Sequence, residues 1–356
     1  MTQGGGKKKI VIVGVGGIGG ILAARLIRLG ADVTPVTGNA AISAALAQHG
    51  FRVIEVDGTH WSVPTARPAR PTLGPDDGPF DLCLAATKIT TLAAALADTA
   101  PWLRPDAQVV CIQNGLPEEI AASVVGPERA VGCVVGWGAS MIEAGIYQRT
   151  SHGGLQLERP GVAADILGQV EDTHVTDSFT GTRWSKLAIN CATSTLGAIG
   201  GARLGPLMRR RFVRRLVLEI WTEVAAVARA SGVQFAPVSG TLDIGRMALT
   251  DRERRAPLGS PALAWKHSIL VGVGMKYRRM RSSMLYAIER GRTPEIDYLN
   301  GEVVRRGARH GVATPVNARL VEAVHDIAAG RQRPTMTYLR EIFHELSTAA
   351  AKTDAA

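Results

Sequence analysis

The sequence predicts an α/β N-terminal half built on a doubly wound parallel sheet, followed by an all-α C-terminal half. Three observations carry that reading. Short apolar runs alternate with helical spacing through the first 130 residues, as parallel strands joined by crossover helices require. A glycine-rich turn sits between the first strand and the first helix. From about Trp184 onward the apolar residues recur almost wholly at helical spacing. The chain has 356 residues, too many for one ordinary core and enough for two.

The elements follow in order. Ile10 to Val13 is a continuous β-branched run, as a strand buried on both faces should be. Ile21 to Leu29 is helical and ends at Gly30. Asp32 to Val36 is a second strand. Phe51 to Val56 and Trp61 to Val63 suggest a small antiparallel pair. Asp81 to Ala85 and Gln108 to Cys111 are further buried strands, with the helical run Thr91 to Leu96 between them. Beyond Ala130, Val131 to Val135, Tyr147 to Thr150 and Leu155 to Leu157 read as antiparallel strands closing the first domain. Helices are expected over Leu187–Leu196, Pro206–Ala230, Pro261–Ile288 with an interruption, Pro294–His310 and Asn317–Ala328. The boundary falls near Thr176–Thr182. This gives a dinucleotide-binding domain over 1–180, a helical substrate and dimerisation domain over 181–348, and a flexible tail over 349–356.

Composition narrows the function class. Hydrophobic residues make up 46% and charged residues 20%, a globular balance rather than a disordered one. The net charge of +10 suits a nucleic acid, a membrane surface or a small anionic ligand. The basic residues are dispersed apart from Arg209-Arg210-Arg211-Phe212-Val213-Arg214-Arg215, which reads as a solvated helix face rather than a nucleic-acid footprint, with an electrostatic contribution to anion capture as the remaining role. No zinc-like or RNA-binding motif accompanies the run, so neither nucleic acid nor metal is expected. Cys83, Cys111, Cys133 and Cys191 lie in apolar runs or a helix and read as small buried hydrophobes in a reducing compartment. Lys7-Lys8-Lys9 before an apolar stretch imitates a secretory signal, but the glycine spacing and the helix continuing past Arg25 argue against one. The expectation is a cytoplasmic protein with no membrane span.

The turn Gly14-Val15-Gly16-Gly17-Ile18-Gly19 carries the chemistry of the first half. A GxGxxG pattern after a buried strand and opening a helix is the Rossmann fingerprint for a dinucleotide. Gly14 permits the tight turn, Gly16 lets backbone approach the pyrophosphate, and Gly19 lets helix and strand pack closely. The helix N-terminus then offers free N–H donors to the phosphates. At the end of the second strand an acidic residue would select NAD and a basic one NADP. Here Thr37-Gly38-Asn39-Ala40 is neither. The missing carboxylate removes what would repel NADP, so NADP is the expected cofactor and NAD the alternative.

Several ordered blocks resemble the ketopantoate reductase (2-dehydropantoate 2-reductase) family. They are Gly14–Gly19, Thr87-Lys88, Gln113-Asn114-Gly115, Trp184-Ser185-Lys186-Leu187-Ala188-Ile189-Asn190, Ser282-Ser283-Met284-Leu285, Glu295-Ile296-Asp297-Tyr298-Leu299-Asn300-Gly301 and Gly311-Val312-Ala313-Thr314-Pro315. The resemblance implies an oxidoreductase that transfers a hydride from NADPH to the keto carbon of a 2-oxo acid, of the 2-dehydropantoate to pantoate type. Lys186 would be the general acid, with Asn190 four residues later on the same helix face. Glu295 would bias the Lys186 ammonium and contact ligand. Ser283 would bind the substrate carboxylate. Lys88 and Asn114, each following a parallel strand, would contact the cofactor. Taken alone, Glu295 also fits the start of a helix at Thr293-Pro294, and Ser283 an ordinary helix cap.

The chain departs from the family pattern around the substrate. Asparagines usual there are replaced by Ser194 and Met280, and by Leu204 or its neighbours; the arginine usual after the second strand is Gly38. Ser194 remains a candidate substrate contact. A pocket with fewer amides satisfies a different set of polar groups. The substrate is therefore a small 2-oxo acid or related carbonyl, and a hydroxyacid or opine/imine-type NAD(P) dehydrogenase is the alternative. The segment from Leu242 to Lys276, with Trp265 and His267, is placed to reshape the pocket. Apolar stripes in the helical half would support a homodimer.

Overall fold

The computed structural model describes residues 7–237, 243–255 and 259–353. The chain divides into two compact units, Met1–Phe179 and Thr180–Ala356.

The first unit runs β1 (Lys9–Val13), α1 (Gly17–Arg28), β2 (Asp32–Val36), α2 (Ala40–His49), β3 (Phe51–Ile54), β4 (His60–Val63), β5 (Phe80–Ala85), α3 (Leu92–Thr99), β6 (Leu103–Cys111), α4 (Glu118–Val125), β7 (Ala130–Val135), β8 (Ala139–Glu143), β9 (Ile146–Arg149), β10 (Leu155–Leu157), α5 (Val162–Leu167) and β11 (Thr173–Val175). The main sheet has the order β11-β10-β7-β6-β5-β1-β2. Strands β2, β1, β5, β6 and β7 are mutually parallel. The β-branched run of β1 follows from its place in the middle. Ile10 and Ile12 enter one core, while Val11 and Val13 enter the core on the opposite face. Both faces are covered, so no position on the strand wants a polar side chain.

The strands after Ala130 differ from expectation. β7 is parallel to β6 and extends the main sheet, and antiparallel pairing enters that sheet only beyond it, where β10 and its parallel neighbour β11 run the other way. Strand β9 joins a second sheet of order β4-β3-β9-β8. Periodicity marks these segments as strands without fixing their partners, which long-range packing selects. One such contact is Tyr147 on β9, fully buried against Gly20 of α1.

The second unit contains α6 (Phe179–Gly200), whose first residue closes the first unit, then α7 (Leu204–Arg209), α8 (Arg211–Ala230), α9 (Ile244–Met247), α10 (Asp251–Arg255), α11 (Pro261–Lys276), α12 (Ser283–Glu289), α13 (Asn300–Arg309), α14 (Pro315–Ala328) and α15 (Met336–Thr353). The run Pro206–Ala230 is two helices, because Arg210 is extended at φ −85°, ψ 121°. Pro294–His310 is not one helix either. A 3-10 turn covers Ile296–Tyr298, and Leu299 breaks it from α13 at φ −110°, ψ −97°. The break lets Asn300 turn its amide into the buried core. Residue 349, the expected start of the tail, lies inside α15, and residues 354–356 lie outside the described ones. Leu242 also lies outside them. Among the described residues no helix is long and apolar enough to cross a membrane. No cluster of potential metal ligands occurs there either.

Candidate functional site

The glycine loop gives each of its small residues a different duty. Gly14 has φ +96°, and a Cβ there would meet the backbone nitrogen of Thr87 at 2.6 Å. Gly19 lies so close to the strand turn that a Cβ would meet the Gly14 carbonyl oxygen at 2.1 Å and the Ala86 Cβ at 2.7 Å. Gly17 is pressed against the Ala139 carbonyl of β8. Gly16 alone of these faces open space, with nothing within 4 Å of the Cβ position. It is also the N-cap of α1, and no side chain caps the first turn. The loop therefore presents uncapped N–H groups behind a glycine that leaves room for a ligand, which is what a pyrophosphate requires. Val15 is buried and Ile18 half-buried, so their part in such a site is backbone and wall. The Tyr147 hydroxyl donates to the Val15 carbonyl at 3.1 Å, and burial pushes its phenol well above the usual range.

Lys88 and Asn114 follow the C-terminal ends of β5 and β6, the sheet edge on which Gly14 also lies. Lys88 is exposed at the start of a 3-10 turn; Asn114 is half-buried and precedes Gly115, whose φ of +86° makes the turn. Beside Lys88, the buried Thr87 hydroxyl has no hydrogen-bond partner, a polar atom left for a ligand. At the end of β2, Asn39 caps α2, its side chain accepting from the Ala41 and Ile42 amides at 3.0 and 3.2 Å. Sequence reasoning missed Arg70 here. Its backbone bridges Val36, its carbonyl accepts from the Thr37 amide at 2.7 Å, and its guanidinium pairs with Asp77 at 2.8 Å. A cation thus stands beside β2 although Gly38 occupies the usual arginine position.

In the second unit α6 starts at Phe179, five residues earlier than Trp184 suggests. Between Gly181 and Gly200 every residue is buried except Lys186, Ile189, Asn190, Thr193 and Ser194. Those five form one stripe at helical spacing, so Lys186, Asn190 and Ser194 stand on the only face that the fold leaves open. The Asn190 amide nitrogen is buried without a hydrogen-bond partner, which costs free energy unless a ligand accepts from it.

The two serines at α12 separate by role. Ser282, not Ser283, is the cap: its hydroxyl accepts from the Leu285 amide at 3.1 Å and donates to the Ser194 carbonyl at 2.6 Å. Ser283 is the first helical residue and is exposed, so capping does not account for it. Glu295 does not open a helix from Thr293-Pro294. It is half-buried at the N-cap position of the 3-10 turn and makes no side-chain cap.

Behind the stripe lies a polar network that the sequence reading did not find. Asn300 is fully buried. It accepts from the Thr195 hydroxyl at 2.6 Å and donates to the Cys191 carbonyl at 3.1 Å and to Asn317 at 2.9 Å. Glu223 of α8 accepts from the amides of Val316 and Asn317 at 2.8 and 2.9 Å and from the Asn317 side chain at 2.7 Å. Burial nevertheless raises its carboxyl to about 6. The Trp221 indole donates to the Ala188 carbonyl at 2.9 Å. These bonds fix the rotation of α6, and with it the direction of the stripe.

Both halves of the chain resemble known proteins. The family described as ketopantoate reductase PanE/ApbA matches residues 10–160, and its C-terminal counterpart matches residues 178–328. A 2-dehydropantoate 2-reductase of Pyrococcus horikoshii is 25% identical over 342 residues, covering 90% of this chain and 99% of that protein. The crystal structure of a ketopantoate reductase from Ralstonia eutropha is 25% identical with a TM-score of 0.75, over 91% of this chain and 100% of that one. A D-mandelate dehydrogenase solved with NADH and anilino(oxo)acetate shares the fold at 23% identity, with a TM-score of 0.74 over 90% of this chain and 99% of that one. With both halves matched in order across most of its length, the chain belongs to the ketopantoate reductase family.

Proposed function

We propose that the protein is an NADPH-dependent reductase of a small 2-oxo acid, with Lys186 as the general acid. The observation that carries this reading is the open stripe of α6, where an ammonium and an unpartnered amide stand one helical turn apart on an otherwise buried helix. The names of the relatives support the substrate class: the Pyrococcus protein is a 2-dehydropantoate 2-reductase. A bound nicotinamide supplies the hydride. The chain's own residues do the rest. The loop at Gly14–Gly19, with Lys88 and Asn114, holds the dinucleotide. Asn190 donates to the substrate through its free amide hydrogens, and the exposed Ser283 hydroxyl binds the carboxylate. Hydride arrival leaves negative charge on the former carbonyl oxygen, and Lys186 meets it with a proton. Glu295 biases the lysine towards its charged form. The end of β2 carries no carboxylate over Thr37–Ala40 to repel a ribose phosphate, which supports NADP over NAD.

The test is turnover with NADPH and NADH in parallel against a panel of 2-oxo acids that includes 2-dehydropantoate. Hydroxy acids and secondary amines are run in the oxidative direction. The expected result is NADPH oxidation with a 2-oxo acid, and a fall in kcat of about 10²–10⁴ in Lys186→Ala with NADPH affinity unchanged. Normal turnover in that variant would remove Lys186 from the mechanism.

A further inference from the structure

The arginine-rich run Arg209–Arg215 has no part in the site above, and the structure divides it. Arg209 and Arg210 are exposed at the break between α7 and α8. Arg215 is engaged within the fold, pairing with Glu219 at 2.8 Å and donating to the Glu253 and Arg254 carbonyls. Arg211 and Arg214 instead line an open cavity of about 420 Å³, together with His267 and the start of α11 at Ser260, Pro261 and Leu263.

Among the described residues the cations that reach this cavity have no counter-ion. No carboxylate among the described residues pairs with Arg211 or Arg214. Glu219 is held by Arg215 and Arg254, and Glu253 by Lys266 at 2.8 Å. Arg214 donates to the Met208 carbonyl at 2.5 Å and through Nε to His267 Nδ1 at 3.4 Å. A guanidinium only donates, so Nδ1 accepts and the ring proton is assigned to Nε2. Burial and the charges of Arg214, Arg211 and Arg215 hold His267 down to about 4, so at neutral pH it is an uncharged donor.

Helix ends add to the positive field. α8 and α11 both begin here, and neither has an acidic residue in its first turn. The positive ends of a 20-residue and a 16-residue helix therefore lie beside two guanidiniums with no carboxylate in either first turn; at α11 the Ser260 hydroxyl caps the Leu263 amide. Placing arginine in the first turn of α8 opposes that helix's dipole, an arrangement that an anion between the two helices would relieve. Pro261 and Leu263 supply an apolar wall beside the charges.

We propose that this cavity binds a small phosphate-class oxyanion, held by Arg211 and Arg214 at the converging starts of α8 and α11. Along α8 these residues lie seven to ten positions from Trp221, the contact to Ala188 beside Lys186. At helical rise that is about 10–15 Å, so the site is distinct from the reducing stripe.

The experiment titrates the full chain, saturated with NADPH so that the glycine loop is occupied, with inorganic phosphate at constant ionic strength. Calorimetry is read beside the ¹⁵N resonances of the His267 ring. Saturable binding of one equivalent that moves the His267 signals is expected. Arg211→Ala should weaken it about tenfold or more, because a charge-assisted contact is lost. Arg209→Ala, in the same run but solvated, should change it less than twofold. A parallel titration with methyl phosphate separates an ester-binding site from one for free phosphate. No saturation, no His267 response, or equal loss in the Arg209 and Arg211 variants would mean an adventitious ion only and would overturn the proposal.

Discussion

The two units of this protein present their chemistry in opposite ways. In the first, the site is made by what is absent: Gly16 leaves open space, and no side chain caps α1. In the second, the candidate site is made by side chains standing on one helix, and from Gly181 to Gly200 α6 is buried except along that stripe. A backbone-built site depends on close packing directly behind it. A site built on a helix face depends on whatever fixes the helix's rotation, and here that is a set of buried polar bonds to α6 from Trp221 of α8, the α12 cap Ser282 and Asn300 of α13, the last held in turn by Asn317 of α14.

The largest expected effect tests the backbone-built side. In Gly19→Ala the added methyl has to displace the Gly14 carbonyl, 2.1 Å away. Overpacking against backbone should cost about 3 kcal/mol or more, read as a lower Tm of the purified chain. Gly16→Ala is the counterpart. Its φ of −75° suits alanine and its Cβ meets nothing, so Tm should hold while NADPH affinity falls about tenfold or more. Equal stability losses in the two variants would erase the distinction between the packing glycine and the ligand glycine.

This contrast also explains what was legible in the sequence. The loop could be read because its demands are local: a turn, an approach and a close contact fall within six residues. The stripe was legible only in part. The spacing of Lys186 and Asn190 put them on one face, and nothing local said that this face would be the open one. Asn300, Glu223 and Asn317 were missed because their partners are remote; Asn300 bonds to Cys191 across 109 residues and Glu223 to Asn317 across 94. Such residues read as ordinary polar positions on amphipathic helices until the fold buries them. The same reason accounts for β7 and β9, whose strand character was plain and whose neighbours were not. The Thr293-Pro294 signal failed for the opposite reason: a locally good helix start yielded to the buried amide of Asn300.

A smaller effect probes the network behind the stripe. The Glu223 carboxyl is raised from the ordinary 4.5 to about 6, chiefly by burial. The folded state thus holds this proton more tightly than the unfolded chain does. Stability from this group is fully present below about pH 4.5 and is lost as pH rises through about 6, a change of about 2 kcal/mol. Urea unfolding of the wild type should therefore lose that much more stability between pH 4.5 and 7 than Glu223→Gln does. Glutamine carries no titrating group at this position. Parallel profiles for the two proteins would show that Glu223 is not a buried, strained carboxylate.

The smallest effect is the most discriminating, because it separates two adjacent serines of the same helix start. Ser282 is buried and both caps α12 and ties it to the Ser194 carbonyl, while Gly197 lets the two helices meet so closely that a Cβ there would touch Ser282 at 2.7 Å. Ser282→Ala should cost about 1 kcal/mol of stability, the usual loss for a helix cap. Ser283 is exposed and makes none of these bonds. Ser283→Ala should leave unfolding unchanged and raise KM for the 2-oxo acid, with kcat less affected, as expected when a binding contact common to ground and transition state is removed. If the stability loss fell on Ser283 and the KM change on Ser282, the division between the residue that holds α12 against α6 and the residue proposed to bind substrate would be reversed. The stripe would then have to be redrawn from the other serine.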